Sequence, residues 1–300
     1  MRASTGLIAA ALVFAPSLSP AQQPPLTARD VIDRIKQNIG VPWTEPTVDT
    51  FKDGDPATPV TGIAVTMMAT FDVLRRASAQ GANLVITHEP TFYDHFDKLD
   101  VLEADNDSVT AAKRAFIREH RMVVVRMHDH WHRRRPEPMS ANLARVLGWD
   151  RYQTPESDRL YRVPETTLAE LAATIRRRLP APTIRVVGDS GLRVTRIGLS
   201  PGAAGFDTHR KLLQQDAVEV LVIGEAREWE TVEYVADAVT AGRKKALIIL
   251  GHIPSEQDGM EEFARWLRPF VKEVPVTFVP AMDPFWAPRQ RSGRPLHPTP

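Results

Sequence analysis

The stretch Leu84-Val85-Ile86-Thr87-His88-Glu89-Pro90 places the tightest constraint on the fold. An apolar, largely β-branched run climbs to Ile86 and ends in an imidazole followed directly by a carboxylate. Pro90 has no backbone N–H and cannot extend a strand ladder. Residues 83–87 therefore read as a buried strand whose far end carries two metal-ligating side chains. In open α/β sheets, ligands bind in the crevice beyond the carboxyl ends of the strands. The rest of the chain is expected to deliver further ligands to that crevice.

The surrounding pattern supports such a sheet. Thr27 is placed to cap a helix over 28–39, with Val31, Ile35 and Ile39 on one face and Gly40 as its stop. A strand over 60–67, a helix over 70–79, the strand over 83–87, a helix over 107–120 and a strand over 121–127 follow. This β-α-β-α-β alternation calls for a mainly parallel sheet flanked by helices. Ser140 is expected to cap a short helix through Leu147, and 148–164 reads as a linker or edge strands. Beyond it, helices over 167–179, 206–215 and 230–241 alternate with strands over 184–187, 194–199, 218–223 and 246–250. Ser255 with Asp258 reads as a capping box for a helix through Leu267, and a last strand covers 276–279. The expected class is α/β, with two related lobes, mainly parallel sheets flanked by helices, and a metal site in the cleft at the strand C-terminal ends. Residues 28–147 with 249–285 would form the first lobe, 148–248 the second, and 286–300 a loose Pro-rich tail.

Composition narrows the function. The chain has 300 residues, enough for real cores in two lobes, and its net charge of +1 gives no reason to expect a nucleic-acid partner. Met1-Arg2, the apolar run from Leu7 to Phe14, and Ser19-Pro20-Ala21 match a secretory signal peptide over 1–21, the alternative being an apolar N-terminal tail. A secreted or periplasmic location follows, with a mature chain starting near Gln22. No later segment reaches membrane-span length, so no membrane association is expected. Cysteine is absent, so disulfides and thiolate ligands are excluded and a metal site must use histidine and carboxylate.

Such residues recur at strand ends. Met127-His128-Asp129-His130-Trp131-His132 follows the strand over 121–127, and His252-Ile253-Pro254-Ser255-Glu256 follows the strand over 246–250. The candidate ligands are His88, Glu89, the 128–132 cluster, His252 and Glu256. Each has a plainer reading taken alone. His88-Glu89 reads as loop, the 128–135 stretch as a basic anion patch with Arg133 to Arg135, and His252 with Glu256 as a capping pair at a helix start. Parallel strands end on one side, however, so the candidates converge. Mixed nitrogen and oxygen ligands suit zinc, manganese or iron. Five ligands exceed the need of one structural zinc and match a pair of ions sharing a carboxylate. Ser200-Pro201-Gly202-Ala203-Ala204-Gly205 lacks the P-loop lysine and reads as a tight turn.

Thr87-His88-Glu89-Pro90, His128 with His132, Gly202 to Gly205, Ile223-Gly224-Glu225 and Gly251-His252 with Glu256 occur in an order that resembles the NIF-three-like dinuclear metal-centre hexameric proteins. The resemblance spans about residues 28–285. It implies two related α/β lobes, a homo-oligomer in the form of a toroidal hexamer, and a two-metal site facing its interior. The family has no settled activity; hydrolase roles, including GTP cyclohydrolase, have been suggested for it. Two divalent ions would be held by His88, Glu89, His132, His252 and Glu256, with Glu256 as the bridge and His128, Asp129 and Glu225 behind the ligands. This chain departs from the family pattern at two positions. Glu89 stands where the family has a second histidine, and His132 where it has aspartate, which preserves the total of three imidazoles and two carboxylates. The function so implied is that of an exported metal-dependent hydrolase acting on a small molecule. A metal-binding or storage module and a hexamer merely stabilised by metal are the other readings.

Overall fold

The computed structural model describes residues 24–288, so the signal peptide expected over 1–21 and most of the tail expected over 286–300 lie outside the described residues. The chain forms two five-stranded sheets. The first contains β1 (Phe51–Asp53), β2 (Ile63–Thr66), β3 (Leu84–Thr87) and β4 (Val123–Arg126). The second contains β5 (Leu160–Thr167), β6 (Arg185–Val187), β7 (Arg193–Ser200), β8 (Val220–Ile223) and β9 (Ala246–Ile249). The final strand, β10 (Val276–Phe278), returns to the first sheet. The strand orders are β1-β4-β3-β2-β10 and β5-β7-β8-β9-β6. Inner pairs are parallel, whereas the edge strands β1, β5 and β6 run antiparallel. The α/β class with mainly parallel, helix-flanked sheets expected from the alternation is what the chain adopts.

Every residue of β2, β3, β4, β8 and β9 is buried. That explains why these strands read as continuous apolar runs, since helices cover both faces. On one face of the first sheet, Val31, Ile32 and Ile35 of the helix Ala28–Asn38 pack with Met260, Phe263 and Leu267 of the helix His252–Leu267. The other face carries Val73, Leu74 and Ala77 from the helix Phe71–Ala79 and Ile117 from the helix Ser108–Glu119. The second sheet is covered by the helix Leu168–Arg178 on one side and by Leu212, Leu213 and Val235 on the other.

Helix starts follow local chemistry. Thr27 and Thr167 each form a reciprocal capping box with an acid three residues on, Asp30 and Glu170. Two sequence expectations fail. The helix expected to start at Ser140 is Pro138–Leu147, and Glu137 caps it by accepting from the N–H groups of Met139 and Ser140. Proline at the first helical position needs no partner for its nitrogen, so the earlier start costs nothing. Likewise Ser255 and Asp258 are no capping box, because the helix runs from His252 with Gly251 as N-cap at φ 96°. Pro254 is tolerated there, in the first turn. This earlier start places His252 and Glu256 one turn apart on one helix face.

Candidate metal centre

Strand register assembles the site. Thr87 pairs with Arg126 at the ends of β3 and β4, so His88-Glu89 and Met127-His128 leave the first sheet side by side. Ile223 pairs with Ile249 at the ends of β8 and β9, so Gly224-Glu225 and Gly251-His252 leave the second sheet side by side. The helix His252–Leu267 then crosses from the second sheet to the first, carrying His252 and Glu256 at its start and burying its far end in the first core.

The five residues expected as ligands come together. His88 Nε2 lies 3.1 Å from His132 Nε2 and 3.8 Å from Glu256 Oε2. His252 Nε2 lies 3.1 Å from Glu256 Oε2 and 3.5 Å from Glu89 Oε1. The other Glu256 oxygen is 4.0 Å from His132 Nε2. His128 was expected behind the ligands, but it stands level with them. Its Nε2 is 3.6 Å from Glu89 Oε1 and its ring stacks on His88 with centroids 4.6 Å apart. Two overlapping groups, His88/His128/His132 and His88/Glu89/Glu256, each bring ligand atoms within 4.8 Å of one another. A buried histidine–glutamate cluster of this kind could bind a metal ion.

The hydrogen bonds behind the rings show that the cluster fits a cation. The Met127 carbonyl, 3.1 Å from His88 Nδ1, can only accept, so Nδ1 holds the proton and Nε2 presents a bare lone pair. Glu137 at 3.0 Å from His132 Nδ1 and Asp129 at 2.9 Å from His128 Nδ1 impose the same tautomer. Glu225 faces His252 Nδ1 at 3.6 Å. Carboxylate or carbonyl partners that orient imidazoles in this way are the usual support of metal-ligating histidines. Without a cation, the facing lone pairs of His88 and His132 repel unless a proton lies between them.

Charge follows this arrangement. Burial holds the His88 imidazole well below its ordinary range, aided by the neighbouring His128 and His132. Burial also disfavours a charged His252, yet Glu225, Glu256 and Glu89 around it push it well above that range. Burial opposes ionisation of Glu137, but its bond to His132 prevails and takes it down to about 2. Asp129 is held very low, chiefly by its bond to His128.

Three supporting residues escaped the sequence reading. Arg126, fully buried, donates to the His88 carbonyl at 2.9 Å and to Glu89 Oε2 at 3.2 Å. Glu137 holds His132 as described. Asp49 accepts from the backbone of His128, Asp129 and His130, fixing the one-turn helix Asp129–His132. That turn separates the three histidines of the cluster. His128 and His132 face the site, whereas His130 turns away, bonding Asp49 at 2.6 Å and stacking on Trp43. The i, i+4 spacing of His128 and His132 was the available signal, and it needed a helix to be read.

Fold and cluster together define a two-sheet α/β protein with a histidine–carboxylate centre where the sheets meet. The Duf34/NIF3 (NGG1p interacting factor 3) family model matches residues 47–284, and the chain belongs to that family. Among solved structures it is similar to Staphylococcus aureus protein SA1388, with 18% identity, a TM-score of 0.65, and 88% of this chain and 100% of that one covered. A Bacillus cereus protein related to NIF3 aligns at 14% identity and TM-score 0.67 over 88% and 99% of the two chains. Reduced HcgD from Methanocaldococcus jannaschii aligns at 12% identity and TM-score 0.61 over 85% and 98%. No curated protein matches by sequence.

Proposed function

We propose that this protein is an exported hydrolase with two divalent ions, zinc, manganese or iron, at the cluster, acting on a small molecule as part of a homo-oligomer, the hexamer implied by its family. The carrying observation is the set of inward-facing Nε2 atoms beside a cavity of about 1240 Å³ whose wall includes His252 and Glu225. A structural metal site is closed, whereas a catalytic one keeps an open approach.

His88, Glu89, His132, His252 and Glu256 would hold the ions, with Glu256 shared because its two oxygens face different imidazoles. Bound divalent ions would supply an activated water at neutral pH and stabilise charge on a substrate oxygen. The chain's own groups do the remaining work. Arg126 fixes the Glu89 carboxylate, Asp129 and Glu137 orient His128 and His132, and Glu225, at the cavity wall, orients His252 and is placed to take up a proton.

Export is supported by the composition of residues 1–21, and N-terminal sequencing that finds Met1 intact would remove it. Among the described residues, no helix is long and apolar enough to cross a membrane. Assembly is supported by the family resemblance, and the exposed Phe285 and Trp286, in the wall of the same cavity as His252, offer apolar surface for a contact. A monomeric mass by light scattering would remove the hexamer. For the activity, protein reconstituted with each metal is screened on phosphoesters, amides and lactones. Metal-dependent turnover that Glu256→Ala abolishes is expected. Tight metal binding without turnover on any substrate would leave a storage or structural role.

A further inference from the structure

Lys113, in the middle of the helix Ser108–Glu119, is only 3% exposed. Its ammonium donates to the Thr91 carbonyl at 2.6 Å and lies 5.7 and 5.4 Å from the ring centroids of Phe92 and Tyr93. Among the described residues, no carboxylate comes within 4.0 Å of it. Nearby Asp97 is shared: its Oδ1 accepts from the N–H groups of Thr91 and Phe92 at 2.6 and 2.8 Å, and its Oδ2, which has no hydrogen-bond partner, forms an ion pair with Lys52 at 3.3 Å. One oxygen of Asp94, Oδ1, accepts from the backbone N–H groups of Phe96 and Lys98. The Thr91 hydroxyl, in a residue 1% exposed, has no hydrogen-bond partner.

Buried charges are ordinarily paired, and buried hydroxyls are ordinarily bonded. Here Lys113, a cation with donors to spare, and Thr91, whose idle hydroxyl is sealed from solvent, both stand in the wall of a cavity of about 320 Å³. Phe71 and Tyr93, 42% and 64% exposed, stand in its wall. Burial lowers the Lys113 amine to about 8, against the opposing pull of the Asp97 carboxylate.

We propose that this cavity binds a small organic carboxylate, with the Lys113 ammonium and the Thr91 hydroxyl each donating to one carboxylate oxygen and the apolar body of the ligand against Phe71 and Tyr93. Two spare donor groups match the two oxygens of a carboxylate, and Lys52, the other lysine near Asp97, is spent on that residue. The cavity is distinct from the metal cluster but adjoins it. Thr91 lies two residues beyond Glu89, and Met68 stands in the walls of both cavities. The inference does not rest on hydrolase activity.

The test follows Lys113 by NMR in metal-loaded protein carrying carbon-labelled lysine, with sodium benzoate as probe and benzyl alcohol as its uncharged control. Without ligand, the amine should titrate near about 8. Benzoate should raise that midpoint, by about one pH unit for a tenfold preference for the charged amine, while benzyl alcohol leaves it in place. Lys113→Met and Thr91→Val should each weaken benzoate binding at least about tenfold, as loss of one charge-assisted bond does. Lys113→Met should also raise the melting temperature, because an apolar side chain replaces an unpaired buried charge. A Lys113 midpoint that benzoate does not move overturns the proposal. So does benzoate affinity that both variants leave unchanged, which would put the carboxylate on the metals. If Lys113→Met fails to fold, the midpoint and Thr91→Val decide.

Discussion

His88 Nε2 and His132 Nε2 face each other at 3.1 Å, each ring tied through its Nδ1 to an acceptor, the Met127 carbonyl or the Glu137 carboxylate. Two lone pairs at that distance call for a proton or a metal between or beside them. In metal-free protein the proton goes to His132, which Glu137 and Glu256 raise against the effect of burial, while His88 stays neutral. Metal entry must therefore expel protons.

The first prediction concerns Glu89 and His132, two of the residues brought together at the cluster. If Glu89 and His132 are both ligands, Glu89→Ala or His132→Ala should lose mainly one ion after identical loading. Glu256→Ala should lose both, because its two oxygens face different imidazoles. Elemental analysis of each variant checks this. Full metal content in His132→Ala would show that His132 is not a ligand, and His128, whose Nε2 stands level with the other ligands, would become the better candidate in that turn.

The second concerns pH. Carboxylates raise His252 above its ordinary 6.5 in the folded, metal-free protein. A raised folded value means that the proton stabilises the fold. That contribution is full below 6.5 and is lost as pH rises through the folded value. His132 acts in the same direction. His88, lowered by burial, acts below 6.5, where falling pH weakens the fold. Urea midpoints of chelator-treated protein should therefore fall from about pH 6.5 upward, and metal-loaded protein should not share the decline. A shallower profile in His252→Gln, with the His132 contribution left, would assign its share to that ring, whereas an unchanged slope would remove the assignment.

Much of this centre was legible in the sequence, for identifiable reasons. Pro90 and Gly251 punctuate buried strands, so the residue pattern alone puts His88, Glu89 and His252 at strand ends. The two-lobed α/β class followed from alternating apolar runs and helical periods. Asp49 and Arg126 were not legible. Asp49 reaches His128 across 79 positions of chain, and no local pattern marks such a contact. Arg126 closes the run Val123-Val124-Val125, where a charge reads as the strand leaving the core. Instead it is fully buried, because its bonds to the His88 and His95 carbonyls and to Glu89 replace water. His130 could not be told from His128 and His132, because only the one-turn helix sets their directions.

A third prediction tests that arginine. Arg126→Met keeps the stem but leaves the Glu89 carboxylate without its cation and strips donors from the His88 and His95 carbonyls, the first of them buried. Breaking a buried ion pair from one side costs about 3–5 kcal/mol. Urea unfolding of metal-free protein should show a loss of that order. A loss below about 1 kcal/mol, the scale of an exposed pair, would mean that Glu89 finds another partner.

The last prediction concerns the Gly-rich turn Ser200 to Gly205, which binds no phosphate in this reading but pins Glu256. Gly202 has φ 69°, a backbone conformation that favours glycine, and a Cβ added there would run into the Glu256 carboxylate. Its N–H donates to Ser255 Oγ at 3.0 Å, and that hydroxyl donates in turn to the His252 carbonyl at 2.7 Å. The turn after β7 thus locks the first turn of the helix that carries His252 and Glu256. Gly202→Ala should push the Glu256 carboxylate aside and weaken metal binding about 10–100-fold, the usual effect of losing support behind a ligand. Ser255→Ala removes the linking hydroxyl without a clash, so it should cost about 1 kcal/mol of stability and little metal affinity. Isothermal titration with zinc, alongside far-ultraviolet circular dichroism to confirm folding, separates the two. If Gly202→Ala binds zinc as tightly as the parent, Glu256 is either free to move or not a ligand. Glu256→Gln in the same titration then decides between these, since a ligand carboxylate cannot become an amide without loss of affinity.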